Sequence, residues 1–372
     1  MFSHPNVARA QVGLLVETDY LTGYTVRMKK EVRHTTLYRA YRPATFKEVR
    51  GQSQVVDVLA KAIKNNKPAH AYLFAGGRGT GKTSVARILA RELGVSDKDL
   101  YEIDAASNTG VENIRELREG VNTVPFESPY KFYIIDEAHM LSRAAWNAFL
   151  KTLEEPPAHV IFVMATTELQ KIPDTIQSRC EIYTFKQPTR NMLADTVADI
   201  AKKEGYSLER SAAELVALLA EGSFRDALSI LQKVLAVSSD KKIDVAEVEV
   251  VSGAPRGEVV RQLLAAVAKK DVAAGLSVVR KSVEENVDAR TLAKLLIHRL
   301  RAVLLLRYAP DLAKSFAQEL TEADLALAQE LSKEPGVNSD TQRALLEAYS
   351  QMAYAAVPHL PLELAIIDIS QQ

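Results

Sequence analysis

The octapeptide Gly76-Gly77-Arg78-Gly79-Thr80-Gly81-Lys82-Thr83 follows directly on the apolar run Ala71-Tyr72-Leu73-Phe74-Ala75. It fits G-x-x-x-x-G-K-[ST], and in this position the pattern requires a strand, a tight loop and a helix in that order. The physical reason is that successive backbone N–H groups must turn toward one anion while the next residues open a helix N-terminus beneath it. Together with Ser84, the eight loop residues are therefore expected to cradle phosphates. Lys82 is placed to reach the β- and γ-phosphates, and the Thr83 hydroxyl to ligate Mg²⁺. Beyond the loop, Val85, Ile88, Leu89 and Leu93 fall on one helical face, and Gly94 supplies the stop.

A second element completes this one. Phe132-Tyr133-Ile134-Ile135 reads as a buried strand ending in Asp136-Glu137. Standing alone, two carboxylates after a strand would read as a solvated turn; beside a phosphate loop they read as a Walker B element. Asp136 would hold Mg²⁺ through water, and Glu137 would polarise the water that attacks the γ-phosphate.

From Thr36 to about Lys186 short apolar runs alternate with amphipathic helices, the pattern of a parallel sheet covered on both faces. Strands are predicted at 71–75, 101–104, 131–135, 160–165 and 181–185. Residues 188–237 read as wholly helical, with Thr189 and Ser207 as caps, Gly205 and Gly222 as stops, and a capping pattern at Ser223 and Asp226. The stretch around 238–255 is polar and strand-forming, and helices resume at 257–269, 271–285, 288–307, 321–332 and 338–354. The fold class is thus α/β followed by all-α. Residues 1–35 have no sustained periodicity and are expected to be a flexible extension or to reflect a misplaced start.

A chain of 372 residues is expected to form two or three domains. Lys plus Arg equals Asp plus Glu, at 47 each, so any contact with nucleic acid must come from a local patch. Cys180 is the only cysteine, which excludes an internal disulfide and a cysteine-based zinc cluster. No apolar run approaches the roughly 20 residues that span a bilayer, and the N-terminus has no signal pattern, so a cytoplasmic protein is expected. His70 and His139 stand beside strand ends without a second ligand at metal spacing and read as structural; Trp146, Phe149 and Leu150 read as core.

Between Tyr38 and Leu231 the motifs resemble those of the bacterial DNA polymerase III clamp-loader γ/τ family, which belongs to the AAA+ ATPases. The resemblance rests on Tyr38-Arg39-Ala40-Tyr41-Arg42-Pro43 with Gly51-Gln52, the phosphate loop, Asp104-Ala105-Ala106-Ser107, Asp136-Glu137-Ala138-His139-Met140-Leu141-Ser142, Leu153-Glu154-Glu155-Pro156-Pro157, Ala165-Thr166-Thr167, Ser178-Arg179-Cys180 and Gly222-Ser223-Phe224-Arg225-Asp226-Ala227-Leu228. Ser-Arg-Cys after an Ala-Thr-Thr strand sets it apart from other phosphate-loop proteins.

The resemblance implies an AAA+ nucleotide-binding domain at 36–186, a helical lid at 187–243 and a helical collar for oligomerisation at 244–372. It implies an ATP hydrolase working within the DNA polymerase III holoenzyme, using ATP and Mg²⁺ to open a sliding clamp and load it onto primed DNA. The implied partners are δ, δ′ and further γ/τ copies, the clamp and the DNA backbone. Tyr38, Arg42, Pro43 and Val49 lie in the segment that wraps adenine and ribose. Thr166 matches the sensor-1 position, with Thr167 as the neighbouring alternative; Arg179 matches a finger that reaches the ATP of an adjacent subunit, and Arg225 the sensor-2 arginine of the lid. In the first turn of a helix a cation opposes the macrodipole, so local stability does not explain Arg225 and a phosphate partner would.

Thr109, Arg115 and Lys151 match positions that track the primer-template backbone, whereas Asn108 and Gly110 stand where basic residues often occur. Family members usually carry a four-cysteine zinc module after the phosphate-loop helix, but here Leu93 to Leu100 connects directly to the Asp-Ala-Ala-Ser strand, so no zinc is expected. The segment Leu360 to Ala365 resembles the end of the collar, and τ-type regions are expected to be missing. Two competing readings are an ATPase-inactive δ′-like subunit, against which the intact Lys82 and Glu137 argue, and a branch-migration motor, against which Ser178-Arg179-Cys180 and the collar argue.

Overall fold

The computed structural model describes residues 36–107, 111–310 and 320–371, and within Thr36–Gln372 the contacts form one compact unit. The expected extension at 1–35 and the candidate residue Thr109 lie outside the described residues. Five parallel strands, β1 (Ala71–Gly76), β2 (Leu100–Asp104), β3 (Lys131–Asp136), β4 (Val160–Thr166) and β5 (Glu181–Phe185), form a sheet in the order β2-β3-β4-β1-β5. Side chains alternate across a strand, and in the central β1, β3 and β4 both faces are buried, which is why these are nearly continuous apolar runs, while the edge strands β2 and β5 are mostly exposed or half-buried. Tyr72, Phe74, Phe132, Ile134, Ile161 and Val163 pack on one face against helices Ser53–Lys64 and Lys82–Glu92. Leu73, Tyr133, Ile135, Phe162 and Met164 pack on the other against Val111–Val121 and Arg143–Glu154, with Trp146 and Phe149 in that core and Leu150 packed against it.

The register decides where chemistry is placed. Ala75 lies opposite Thr166, and Asp104 opposite Asp136, so the carboxyl ends of β1, β2, β3 and β4 share one edge. Ligands of open α/β sheets bind at that edge, next to the strand where chain order reverses.

After β5 the chain is almost entirely helical. Thr189 accepts from Met192 N–H and Ser223 from Asp226 N–H, each capping its helix as expected. Gly205 and Gly222 have φ of 84° and 80°, the left-handed conformation of a helix stop. Two expectations need correction. Ser207 is not a cap; it pairs through Ser207–Leu208 with Lys242–Ile243 in a two-stranded parallel ladder, and the following helix Arg210–Leu219 starts after Glu209 without a side-chain cap. The stretch at 238–255, expected to form strand, does so only at Lys242–Ile243, and its longest element is the helix Val245–Ser252. Its β-branched residues are overridden by the Asp244 cap on Glu247 N–H, by burial of Val248 and by a left-handed stop at Gly253.

The final helices, Gly257–Ala268, Val272–Glu284, Ala289–Tyr308, Glu322–Leu331, Ser339–Gln351 and Leu360–Gln371, surround one apolar core built on Leu263, Leu292, Leu296, Leu300, Leu331 and Leu362. Arg261 and Arg299 both pair with the buried Asp324 in this bundle.

The short connection before β2 is held firmly. The Asp99 carboxylate accepts from the N–H groups of Phe126, Glu127 and Ser128 at 2.6, 2.9 and 2.9 Å. Burial raises the pKa of this carboxyl, but the three backbone donors and the Ser128 hydroxyl outweigh it and pull the value down to about 2. Because the folded value lies below the unfolded one, near 3.9, the resulting stability is complete above about pH 4 and is lost as the pH falls toward 2. Replacing Asp99 by Asn should cost about 2 kcal/mol at pH 7 by turning an N–H donor against these donors. The difference from wild type in urea titrations should shrink on acidification; a difference independent of pH would remove the carboxylate from this role.

Candidate active site

The phosphate loop leaves β1 at Gly76, where φ is 154° and a Cβ would lie 2.5 Å from the Phe185 carbonyl oxygen, so only glycine fits. Gly81, at φ 100°, starts helix Lys82–Glu92. Lys82 is buried, and its Nζ donates to the carbonyls of Gly76 and Gly77 at 2.7 and 2.8 Å. Burial pulls the ammonium below its ordinary pKa, opposed by the nearby carboxylates of Glu137 and Asp136. A cationic group held at the loop mouth with carboxylates behind it is suited to an anion of several charges.

Thr83 Oγ1 donates to Asp136 Oδ2 at 2.9 Å. This puts a hydroxyl and a carboxylate, both hard oxygen ligands, side by side at the helix start, and such a pair fits Mg²⁺. Glu137 adopts a left-handed backbone, φ 49° and ψ 44°, unusual for a residue with a side chain, and this turns its carboxylate back toward the strand ends. Its Oε2 accepts from Thr167 Oγ1 at 3.2 Å and lies 3.5 Å from His139 Nδ1.

Thr166 ends β4 at the edge of the sheet where the phosphate loop lies. It is fully buried, and its hydroxyl lies 3.1 Å from His139 Nδ1 and accepts from Glu168 N–H at 3.0 Å. The neighbouring Thr167 is the one that meets Glu137. His139 is structural, as expected, lodged between Glu137 and Glu168.

A cleft of about 900 Å³ opens over the loop, lined by Tyr38, Arg42, Pro43, Val49, Arg78 to Ser84, Asp136, Glu137 and Arg225. Its far wall is helical, contributed by Asp199, Lys203, Phe224 and Leu228. The wall is fastened to the loop itself: Phe224 N–H donates to the Gly79 carbonyl at 3.1 Å, and Gln187 is wedged between Gly77 and Gly222. A Cβ on Gly79, already at φ 68°, would lie 2.0 Å from Ser223 Oγ. Gly79→Ala should therefore push the helix Phe224–Val237 off the loop and weaken nucleotide binding by about tenfold or more, through backbone strain and lost closure together. Calorimetric titration with a nucleotide measures this, and unchanged affinity would mean the contact carries no load.

Gln52 ends the segment Tyr38 to Gln52 that the resemblance assigns to adenine and ribose, and its side chain bonds to the protein backbone. It is fully buried and donates to the carbonyls of Thr80 and Lys186 at 3.3 and 2.7 Å, while accepting from Lys186 N–H at 3.1 Å. One amide thus joins the phosphate loop to the segment between β5 and the helices. Pairing across 134 residues has no local signal that could have revealed it.

Comparison with known proteins now decides the family. The family described as DNA polymerase III, delta subunit matches residues 51–106 and 95–189, and that described as DNA polymerase III clamp loader subunit, ATPase lid domain matches 193–240. The chain is 35% identical over 361 residues to DNA polymerase III subunit tau of Bacillus subtilis, covering 91% of this chain and 63% of that protein. It is 36% identical over 345 residues to subunit gamma/tau of Mycobacterium tuberculosis, covering 86% of this chain and 58% of that protein. The chain belongs to the clamp-loader γ/τ family. It spans between about a third and just under two thirds of the length of the relatives just named and of the Mycoplasma pneumoniae subunit gamma/tau. The Thermotoga maritima RuvB branch migration motor superposes with a TM-score of 0.50 at 22% identity, over 61% of this chain and 79% of that one, a likeness of fold alone.

Within this γ/τ fold Arg179 and Lys151 lie outside the cleft. Arg179 Nη2 pairs with Glu154 Oε1 at 2.7 Å, and its Nη1 donates to the Thr175 carbonyl at 2.7 Å. Lys151 is exposed on the same helix as Glu154, and Arg115 belongs to helix Val111–Val121. Among the described residues no helix is long and apolar enough to cross a membrane.

Proposed function

We propose that the chain is the ATP-hydrolysing motor subunit of a bacterial clamp loader, acting in the cytoplasm at the replication fork with δ, δ′ and further copies of itself to open a sliding clamp and place it on primed DNA. The observation that carries this reading is the convergence of Lys82, Thr83, Asp136, Glu137 and Arg225 on one cleft, with Arg179 on a separate surface. Mg²⁺ held by Thr83 and Asp136 would neutralise charge between the β- and γ-phosphates. The backbone N–H groups of the loop and the N-terminus of Lys82–Glu92 bind the phosphates, and Lys82 adds a point charge. Glu137 orients a water and takes up its proton as the γ-phosphoryl group transfers. Thr167 and His139, by holding the same carboxylate, set where that water sits. Tyr38, Arg42, Pro43 and Val49 enclose the base and ribose, and Arg225 brings the lid onto the phosphates.

Arg179 completes the site of a neighbouring subunit. Lys151 and Arg115, with Thr109, contact DNA through its phosphates, which makes that binding shape-specific and sensitive to salt. ATP turnover measured alone, with δ and δ′, and then with clamp and primed DNA tests the whole reading. Stepwise stimulation is expected; turnover indifferent to clamp and DNA would overturn it.

A further inference from the structure

Beside the nucleotide cleft lies a second depression lined by Arg39, Arg42, Arg78, Arg87 and Arg225, in a chain whose overall charge is balanced. Arg87 pairs with Glu102, yet its Nε is buried without a hydrogen-bond partner. Among the described residues no carboxylate lies within ion-pair distance of the other four. Among the described residues, the only acid lining the depression is Asp226. Burial and the charges of Arg87, Arg225 and Arg39 act against the ionised form of Arg42, and the charge of Glu102 opposes them only in part, so its pKa lies below the ordinary value. Arg42, Arg78 and Arg225 also line the nucleotide cleft, whereas Arg39 and Arg87 line the depression alone. Like charges gathered this closely are stabilised by an anionic partner.

The surface around Arg179 carries carboxylates beside the exposed Lys151 and Lys171. Glu154, Glu155 and Asp174 are exposed there, and Glu154 touches Arg179 itself. If Arg179 enters the cleft of a neighbouring copy, as the proposed function holds, Glu154 travels with it toward the arginines that line that cleft. An ion pair as exposed as Glu154 and Arg179 contributes little in the free chain, so exchanging it costs little.

We propose that Glu154 changes partners on assembly: it holds Arg179 in the free chain and pairs with the arginine depression of a second copy, at Arg39 or Arg78, when the two copies dock. This rests on the reading of Arg179 as a residue acting in trans. A finger acting in trans works only where a neighbour is in place, and the exchange gives Glu154 a partner there, so docking and release of the guanidinium occur together.

Charge reversal in the full chain, assembled with δ, δ′, clamp and primed DNA, tests this. Glu154→Arg should lower stimulated turnover by about tenfold or more and weaken assembly by mass, the scale of a close interfacial charge pair. Adding Arg39→Glu or Arg78→Glu to the same chain reverses both sides of each joint, and one of the two should restore assembly and bring turnover back to within about threefold. Because Arg78 also lines the nucleotide cleft, assembly mass is the deciding readout for that arm. Thermal unfolding of Glu154→Arg separates a folding defect from a docking defect, and Glu154→Gln supplies a milder form of the same loss. Normal assembly by Glu154→Arg, or no rescue by either swap, would overturn the proposal. Loss of salt-sensitive DNA binding in the Arg39 and Arg78 variants, with Glu154 variants assembling normally, would give the depression to DNA phosphates and also overturn it. Arg179→Ala, measured in parallel, keeps the two readings apart: full turnover in that variant defeats the trans finger, whereas its loss together with silent Glu154 variants defeats only the exchange.

Discussion

Lys82→Ala is expected to lower nucleotide affinity by about a hundredfold or more, while Glu137→Gln is expected to bind normally and lose turnover by about 10²–10⁴. The two residues stand on the same edge of the sheet but act on different states of the reaction. Lys82 is a buried ammonium with carboxylates close behind it, so its attraction for the β- and γ-phosphates operates where water screens little. Removing it discards ground-state binding and leaves the carbonyls of Gly76 and Gly77 without their donor. Glutamine at 137 keeps the volume and still accepts from Thr167, but it takes no proton. Calorimetric titration and single-turnover kinetics on folded protein resolve the pair. Equal affinity in wild type and Lys82→Ala would remove this loop from nucleotide binding.

Arg179→Ala should leave nucleotide binding by the isolated chain intact, because Arg179 lies on Glu154 and away from its own cleft. In the assembled complex it should abolish most stimulated turnover, toward the 10³–10⁵ that trans-acting arginines contribute in related phosphoryl transfers. A mixing experiment sharpens the point. Arg179→Ala chains retain a complete cleft and Glu137→Gln chains retain a finger, so neighbours of the two kinds should together recover part of the lost hydrolysis. No recovery at any ratio, with assembly confirmed by mass, would count against action between subunits.

The parts of this fold that are legible in sequence are those encoded locally. The observed strands begin and end within a residue of the predicted ones; the central β1, β3 and β4, buried on both faces, are nearly unbroken apolar runs, whereas the edge strands β2 and β5 carry polar residues and are legible from their position between helices. Thr189 and Ser223 read correctly as caps, since their partners lie three residues away. Ser207 has the same chemistry and was misleading, because its backbone is claimed by Lys242, more than thirty residues on. The choice between Thr166 and Thr167 turns on where β4 ends to a single residue, and a shift of one residue reverses which side chain meets Glu137. Arg39 and Arg78 stand in motifs that sequence identifies at once, but their convergence with Arg87 depends on how three separate elements pack.

The strand order has a consequence for how the protein acquires its nucleotide site during synthesis. β1, which carries the phosphate loop, pairs with β4 and β5 alone, and the first of these lies about ninety residues farther along the chain. While the ribosome extends the chain through β2 and β3, β1 has no hydrogen-bonding neighbour, and closing so long a loop is slow. Nucleotide capture is therefore a late folding event that reports a finished sheet. Once the sheet closes, nucleotide draws the equilibrium toward the folded state by mass action, so refolding yield should rise with its concentration.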